Sequence, residues 1–297
     1  MKLPFFLASR FVAGETLDRA MPVVRSLVDD GLFVTLDLLG EYVSDRDVAL
    51  SARDAYVDLV HTLADRRDKD QIAVKRGGMD HATLSISIKL SMLGQKIDES
   101  FSETNLRYLL EVAKERDLFV RLDMEGSDIT QSTLDVFERV YPDFPDHVGP
   151  VLQAYLKRTG KDIARMCELN ARVRLCKGAY GESADVAFQD MADIRMAYVD
   201  HMQALVQHAR YPGIATHDDA LIQATKDFVK AEGIGVDRFE FQMLYGMRAP
   251  TQKAIADEGY NMRVYVPYGT EWWPYYSRRL RERKENVLFV LQNAFRS

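Results

Sequence analysis

The chain has 297 residues, 39 Lys and Arg against 45 Asp and Glu, and a formal net charge of −6, a balance that excludes a dedicated nucleic-acid binder with its basic footprint. With 47% hydrophobic and 28% charged residues it can bury a sizeable core and remain soluble. Its two cysteines, Cys167 and Cys176, form neither a metal-ligand nor a C-x-x-C pattern, and the N-terminal apolar run from Leu3 to Ala8 is too short for a secretory signal or a membrane span, so a cytoplasmic protein is expected.

A short helix over Gly14 to Asp29 leads the chain. Short apolar or β-branched runs then recur at Leu32–Leu39, Thr83–Leu90, Leu118–Met124, Gly149–Tyr155, Arg172–Cys176, Ile214–Thr216, Phe239–Leu244 and Met262–Val266. Between them apolar residues repeat with the helical period, as at Val48, Ala52, Ala55, Tyr56, Leu59, Val60 and Leu63. Alternating strand and helix predicts a parallel α/β sheet. About eight such units in a chain of this length predict a distorted (βα)8 barrel, one domain over 1–297 with residues 1–30 as a helical extension. A doubly wound sheet is the alternative. No G-x-G-x-x-G follows a strand and no G-x-x-x-x-G-K-[ST] is present, so a nucleotide cofactor would bind without the usual glycine fingerprint.

Polar residues gather where the strands end, the face on which barrels carry their chemistry. In order these are Asp37 and Glu41, Lys89, Asp123, Gln153, Arg174 with Lys177-Gly178-Ala179, Thr216 with His217, Gln242, and Tyr265. Branched aliphatics ordinarily fill a barrel core, so polar groups at every strand end point to a site. Asp37, Arg121 and Glu240 read as partners for neighbouring charges. His217 with Asp218 and Asp219 lacks a second ligand motif, so no metal is expected. His201 and His208 fall on a helix surface. The last helical stretch places Tyr275, Arg278, Arg279 and Glu282 at i, i+3, i+4 and i+7, on one face. Two guanidinium forks beside aromatic rings suit a small carboxylate with an apolar body, and a solvated charged helix is the alternative. Trp272 and Trp273 read as packing at that helix start.

In this order, LDLLGE, ISIKLS, RLDMEGS, LQAYL, RVRLCKGAYGE, ATHD, FEFQMLYGMR and YVPYGT followed by YYSRRLRE resemble the proline dehydrogenase family over roughly residues 30 to 290. The resemblance implies a (βα)8 barrel with its last helix over the mouth. It also implies FAD, oxidation of L-proline to Δ1-pyrroline-5-carboxylate, and a membrane quinone as electron acceptor, with possible peripheral membrane association. Carried over by motif, Arg278, Arg279 and Lys89 bind the proline carboxylate. Tyr265, Tyr275 and Leu244 or a neighbour wall the ring. Asp123 fixes the polar network, Glu282 orients Lys89 or an arginine, and Glu41 pairs with Arg278 to close the site. Toward FAD, Gln153 faces the pyrimidine edge and Arg174 the N5 region. Lys177, Gly178 and Ala179 approach the ribityl-pyrophosphate chain, and Thr216, His217 and Gln242 add contacts. Gly181 and Asp218 depart from the bifunctional members, which carry a bulky residue and an Asn at those places. A Schiff-base aldolase or lyase using Lys89 or Lys177, and a carboxylate-binding module without catalysis, remain open on the residues alone.

Overall fold

Each strand pairs in parallel with the next, and the last closes on the first. The computed structural model describes residues 5–40, 43–73 and 83–282, and for Leu7 and residues 278–282 the backbone alone. The strands are β1 (Phe33–Leu38), β2 (Leu84–Lys89), β3 (Phe119–Asp123), β4 (Val148–Gln153), β5 (Arg174–Cys176), β6 (Gly213–Ala215), β7 (Glu240–Leu244) and β8 (Asn261–Tyr268). They form a closed eight-stranded barrel in sequence order. The helices are α1 (Leu17–Asp29), α2 (Arg46–Asp70), α3 (Glu99–Glu115), α4 (Ser127–Val140), α5 (Thr159–Glu168), α6 (Met191–His208), α7 (Asp219–Ala231), α8 (Ala249–Asp257) and α9 (Trp273–Glu282). The expected (βα)8 fold is the observed one.

Period-two alternation along the strands decides which way each side chain faces. In β2, Leu84, Ile86 and Ile88 join the main apolar cluster with the helices, while Ser85, Ser87 and Lys89 alternate with them. In β3, Val120 and Leu122 join the same cluster, and Arg121 and Asp123 take the other face. The main apolar core therefore lies between barrel and helices, and much of the interior is polar rather than filled by branched aliphatics. Across that interior the Thr35 and Ser87 hydroxyls hydrogen-bond at 3.3 Å.

The leading helix begins at Leu17 rather than Gly14 because residues 13 and 14 run extended beside the end of β8. The Ala13 N–H donates to the Pro267 carbonyl, and the Gly269 N–H to that of Gly14, both at 2.9 Å. The pairing of Pro267 and Tyr268 with Asp37 and Leu38 of β1 carries β8 two residues past Val266. A second apolar cluster joins the N-terminal segment to α9 through Ala8, Phe11, Val12, Leu39, Met247, Trp272, Tyr275 and Tyr276. Trp272 packs in that cluster, whereas Trp273 is half-exposed. His201 is half-buried rather than on the surface, and burial lowers its pKa.

The far end of the barrel is closed by charge. Arg263 donates to both Glu240 oxygens at 2.7 and 3.0 Å, and the Tyr211 hydroxyl donates to the same carboxylate at 3.2 Å. Arg121, with no carboxylate partner among the described residues, donates to the Pro150 carbonyl at 3.0 Å and to the Arg172 carbonyl. The Arg121 and Arg172 guanidiniums stand 4.8 and 4.4 Å from the Phe119 ring centroid. Burial pushes the Glu240 carboxyl up, but the charge and hydrogen bonds of Arg263 prevail and hold it down at about 2. A depressed carboxyl contributes stability that is complete above the unfolded value of about 4.3 and is lost as pH falls through the folded value. Glu240→Gln is therefore expected to cost about 3–5 kcal/mol at pH 7 in urea unfolding. The gap from the wild type should hold constant above about pH 5 and narrow as pH falls toward 2.

Candidate active site

A cavity of about 790 Å³ opens at the C-terminal ends of the strands, in the upper part of the roughly 300–1,000 Å³ range of ligand sites. Its lining includes Lys89, Asp123, Gln153, Arg174, Lys177, Gly178, Ala179, Thr216, His217, Gln242, Leu244, Tyr265 and Tyr275. The structure thus brings these candidates to one place. Glu41 lies outside the described residues, as do the side chains of Arg278, Arg279 and Glu282, although α9 carries the last three positions and supplies Tyr275 to the wall.

One side of the cavity is built by β1, β2, β3, β8 and α9. The Lys89 ammonium donates to Asp37 at 3.0 Å, and the Asp37 side chain is 1% exposed. Asp37 is therefore both the partner of a neighbouring charge and a lining residue; register explains it, since Asp37 faces Ser87 across the β1–β2 pair, one pleat from Lys89. Burial pulls the Lys89 pKa down, but the charges of Asp37 and Asp123 outweigh it and the ammonium is held protonated. Next to it, Asp123 receives Arg174 Nη1 and the Tyr265 hydroxyl, both at 2.7 Å. Burial raises the Asp123 carboxyl against the opposing charges of Arg174 and Lys89. Burial and then the Asp123 charge keep the Tyr265 phenol protonated, as a donor. The Arg174 guanidinium sits 5.3 Å from the Tyr265 ring centroid, donates to Ser87 at 3.2 Å, and through Nε donates to the Gln242 side-chain oxygen. Gln242 in turn donates to Glu240, so a chain of charge-assisted hydrogen bonds runs from the barrel floor to Tyr265.

The other side is built by β4 to β7 and the helices that follow. Gln153 donates to the Glu125 carbonyl at 2.9 Å. Gly178 has φ +113 beside the Tyr155 ring, where a Cβ would collide. Lys177 and Arg195 both reach Asp218, at 2.5 and 2.8 Å. Burial would raise the Asp218 carboxyl, but the hydrogen bonds from Lys177 and Arg195 hold it at about 2. Asp218 also caps α7 by accepting from the Ala220 N–H at 3.1 Å. Arg248 donates to the His217 carbonyl at 2.6 Å and to Asp219. His217 Nε2 accepts the Leu244 N–H at 3.0 Å. His217, Asp218 and Asp219 thus face different partners, and no metal-ligating group stands among the described residues.

Both strand-end lysines are ion-paired, and Lys89 is held charged. A Schiff-base nucleophile must be neutral, so the geometry does not favour the aldolase reading. Sequence reasoning missed Arg195 and Arg248 as lining residues. Arg248 closes the FEFQMLYGMR stretch and stands at the α8 N-cap, a position that a helix-start reading could have found. Arg195 carries no local signal, because only the packing of α6 beside α7 brings it to Asp218.

The model of the family described as proline dehydrogenase matches residues 20–292. The chain belongs to the proline dehydrogenase family. It is 39% identical to proline dehydrogenase 2 of Bacillus subtilis (strain 168), covering 96% of this chain and 89% of that one. It is 40% identical to proline dehydrogenase of Deinococcus radiodurans, with the same two coverages. Among solved structures it is similar to proline utilization A of Bdellovibrio bacteriovorus inactivated by N-propargylglycine, with TM-score 0.86 and 28% identity over 93% of this chain. The chain spans 32% of the length of that larger protein. Membership in the family makes this an oxidoreductase acting on proline.

The Asp37–Lys89 pair yields a stability test. Asp37→Ala strands a buried ammonium and is expected to cost about 3–5 kcal/mol. Adding Lys89→Met removes that charge and should restore a large part of the loss. Urea unfolding of wild type, both single variants and the double variant measures the cycle, and simple additivity would contradict the pairing.

Proposed function

We propose that this chain oxidises L-proline to Δ1-pyrroline-5-carboxylate using FAD, passes the electrons to a membrane quinone, and acts as one barrel domain with residues 1–30 as an extension. The observation that carries the reading is the chemical division of the cavity. One side holds a compact lysine, carboxylate and phenol network of a size for a small amino acid. The other holds Lys177 just after β5, Arg195 on α6 and Arg248 at the α8 N-cap, spread as a long polyanionic ligand requires. That donor set fits FAD. Gln153 offers an amide, Gly178 leaves backbone beside Tyr155 without a side chain in the way, and Thr216, His217 and Gln242 line the same cavity.

FAD, when bound, supplies the hydride acceptor. The residues of the chain supply binding and orientation. An ammonium has three donors; Asp37 takes one from Lys89, which leaves donors for a carboxylate. Arg278 and Arg279 on α9 complete the carboxylate clamp. Cations gathered beside the substrate amine lower its pKa and favour the neutral form that oxidation requires. Tyr265, locked by its bond to Asp123, and Tyr275 wall the ring, with Leu244 beside them. Glu41 after β1 pairs with Arg278 to close the mouth and exclude water, which strengthens the clamp inside, while Glu282 orients Lys89 or an arginine of α9. No described helix is long and apolar enough to cross a membrane. We place the protein in the cytoplasm, docking peripherally at the inner face of the membrane to reach its quinone.

Anaerobic titration with L-proline tests the reading. The purified protein is expected to be yellow and to bleach on proline addition. A protein colourless even after FAD addition contradicts the cofactor, and a yellow protein that proline does not bleach contradicts the substrate. Arg278→Met and Arg279→Met should each raise the proline KM about ten- to a hundred-fold with FAD retained, the worth of one charge-assisted contact. Unchanged proline affinity in either variant removes that arginine from the clamp. Glu41→Ala should slow flavin reduction in rapid mixing and weaken proline binding with little change in Tm, since an exposed pair adds little stability.

A further inference from the structure

Helix α4 has no cap of its own. Gly126 stands at its N-cap without a side chain to accept from the first turn. The acceptor comes from Glu182, 55 residues beyond Ser127, in the connection between β5 and α6. Its carboxylate takes the Ser127 backbone N–H at 2.8 Å and the Ser127 hydroxyl. A carboxylate is favoured there because the first turn presents unpaired N–H groups and the positive end of the helix dipole.

The consequence lies in what Glu182 is attached to. At the start of the same connection the Tyr155 N–H donates to the Lys177 carbonyl at 2.9 Å. Beyond Glu182, the Lys157 N–H donates to Val186 at 2.9 Å, and the Phe188 N–H donates to Tyr155 at 2.8 Å. Between these anchors runs 178–181. Gly178, Ala179 and Tyr180 line the cavity, and Gly181 has open space where a Cβ would be. Two glycines in four residues give this span little conformational preference of its own. Its shape is set by how its ends are held, and Glu182 is the charged residue at the far end. The turn that Glu182 grips also holds Gln153, through the Glu125 carbonyl. One turn, 125–127, thus ties down two cavity-facing pieces of chain from adjacent units of the barrel.

We propose that Glu182 is a positioning residue for the cofactor: by capping α4 from the β5–α6 connection it fixes 178–181 in the shape that the ribityl-pyrophosphate part of FAD meets. The proposal rests on the FAD reading above, and titration of the apoprotein with FAD, followed by flavin fluorescence, separates the two. A wild-type apoprotein that binds no FAD overturns the FAD reading and this proposal with it. Given wild-type binding, Glu182→Ala is expected to raise the FAD Kd about ten-fold or more, the scale of one lost charge-assisted hydrogen bond. Hydrogen exchange at 178–182 in the apoprotein should quicken in parallel. Glu182→Gln, whose amide oxygen still accepts from the Ser127 N–H, should recover most of the affinity. If Glu182→Ala does not fold, Ser127→Ala replaces it, with a smaller rise in Kd expected. A lowered apoprotein Tm with an unchanged FAD Kd would show that Glu182 is a helix cap alone, and it overturns the proposal.

Discussion

Charge placed inside a closed barrel must find a counter-ion or hydrogen-bond acceptors, because an uncompensated buried ion costs more than folding can spare. In this chain that constraint shapes the whole interior. Strand alternation sends the aliphatics outward to the helices and leaves Asp37, Lys89, Asp123, Arg174, Glu240 and Arg263 on the inner face. The pairs Asp37–Lys89 and Asp123–Arg174 then stand side by side at the cavity, and Glu240–Arg263 stands at the barrel floor. Gln242 bridges from the floor pair to Arg174, and Ser87 accepts a further hydrogen bond from Arg174. The floor pair supports Gln242, Gln242 orients Arg174, and Arg174 holds Asp123 where it receives Tyr265. Stability and site geometry are therefore the same set of contacts.

Much of this was legible in the sequence, for a physical reason. Runs such as Leu84–Lys89 and Phe119–Asp123 show period-two alternation with polar residues on one face, and in a barrel that face is the interior. The polar positions nearest the strand ends were accordingly read as site residues. Asp37 was read as a charge partner only, because its role at the cavity depends on register between β1 and β2, which the chain does not display locally. Arg195 and Arg248 were missed for a related reason. Their ends arrive at the cavity by the packing of α6 to α8 around Asp218 and Asp219, a relation among three separate segments. The start of α1 was misplaced because Gly14 pairs with Gly269, a contact between the two ends of the chain.

The two sides of the cavity are supported differently. The compact side rests on strand residues locked by ion pairs and hydrogen bonds, which suits a small substrate held to tight tolerance. The cation-rich side is carried by loops and helix starts, where Asp218 gathers Lys177 and Arg195 while capping α7. Loops need outside anchors to act as a rigid surface, and here helix caps provide them.

In the proposed reading, the Asp123 junction, joining Arg174 to Tyr265, sets the position of proline against FAD. Rapid anaerobic mixing of the FAD-loaded Asp123→Ala variant with saturating L-proline tests it most directly. The account predicts flavin still bound and flavin reduction slowed about ten-fold or more, as expected when two bonds to one buried carboxylate are lost. Reduction at the wild-type rate in a folded, flavin-loaded variant would contradict it.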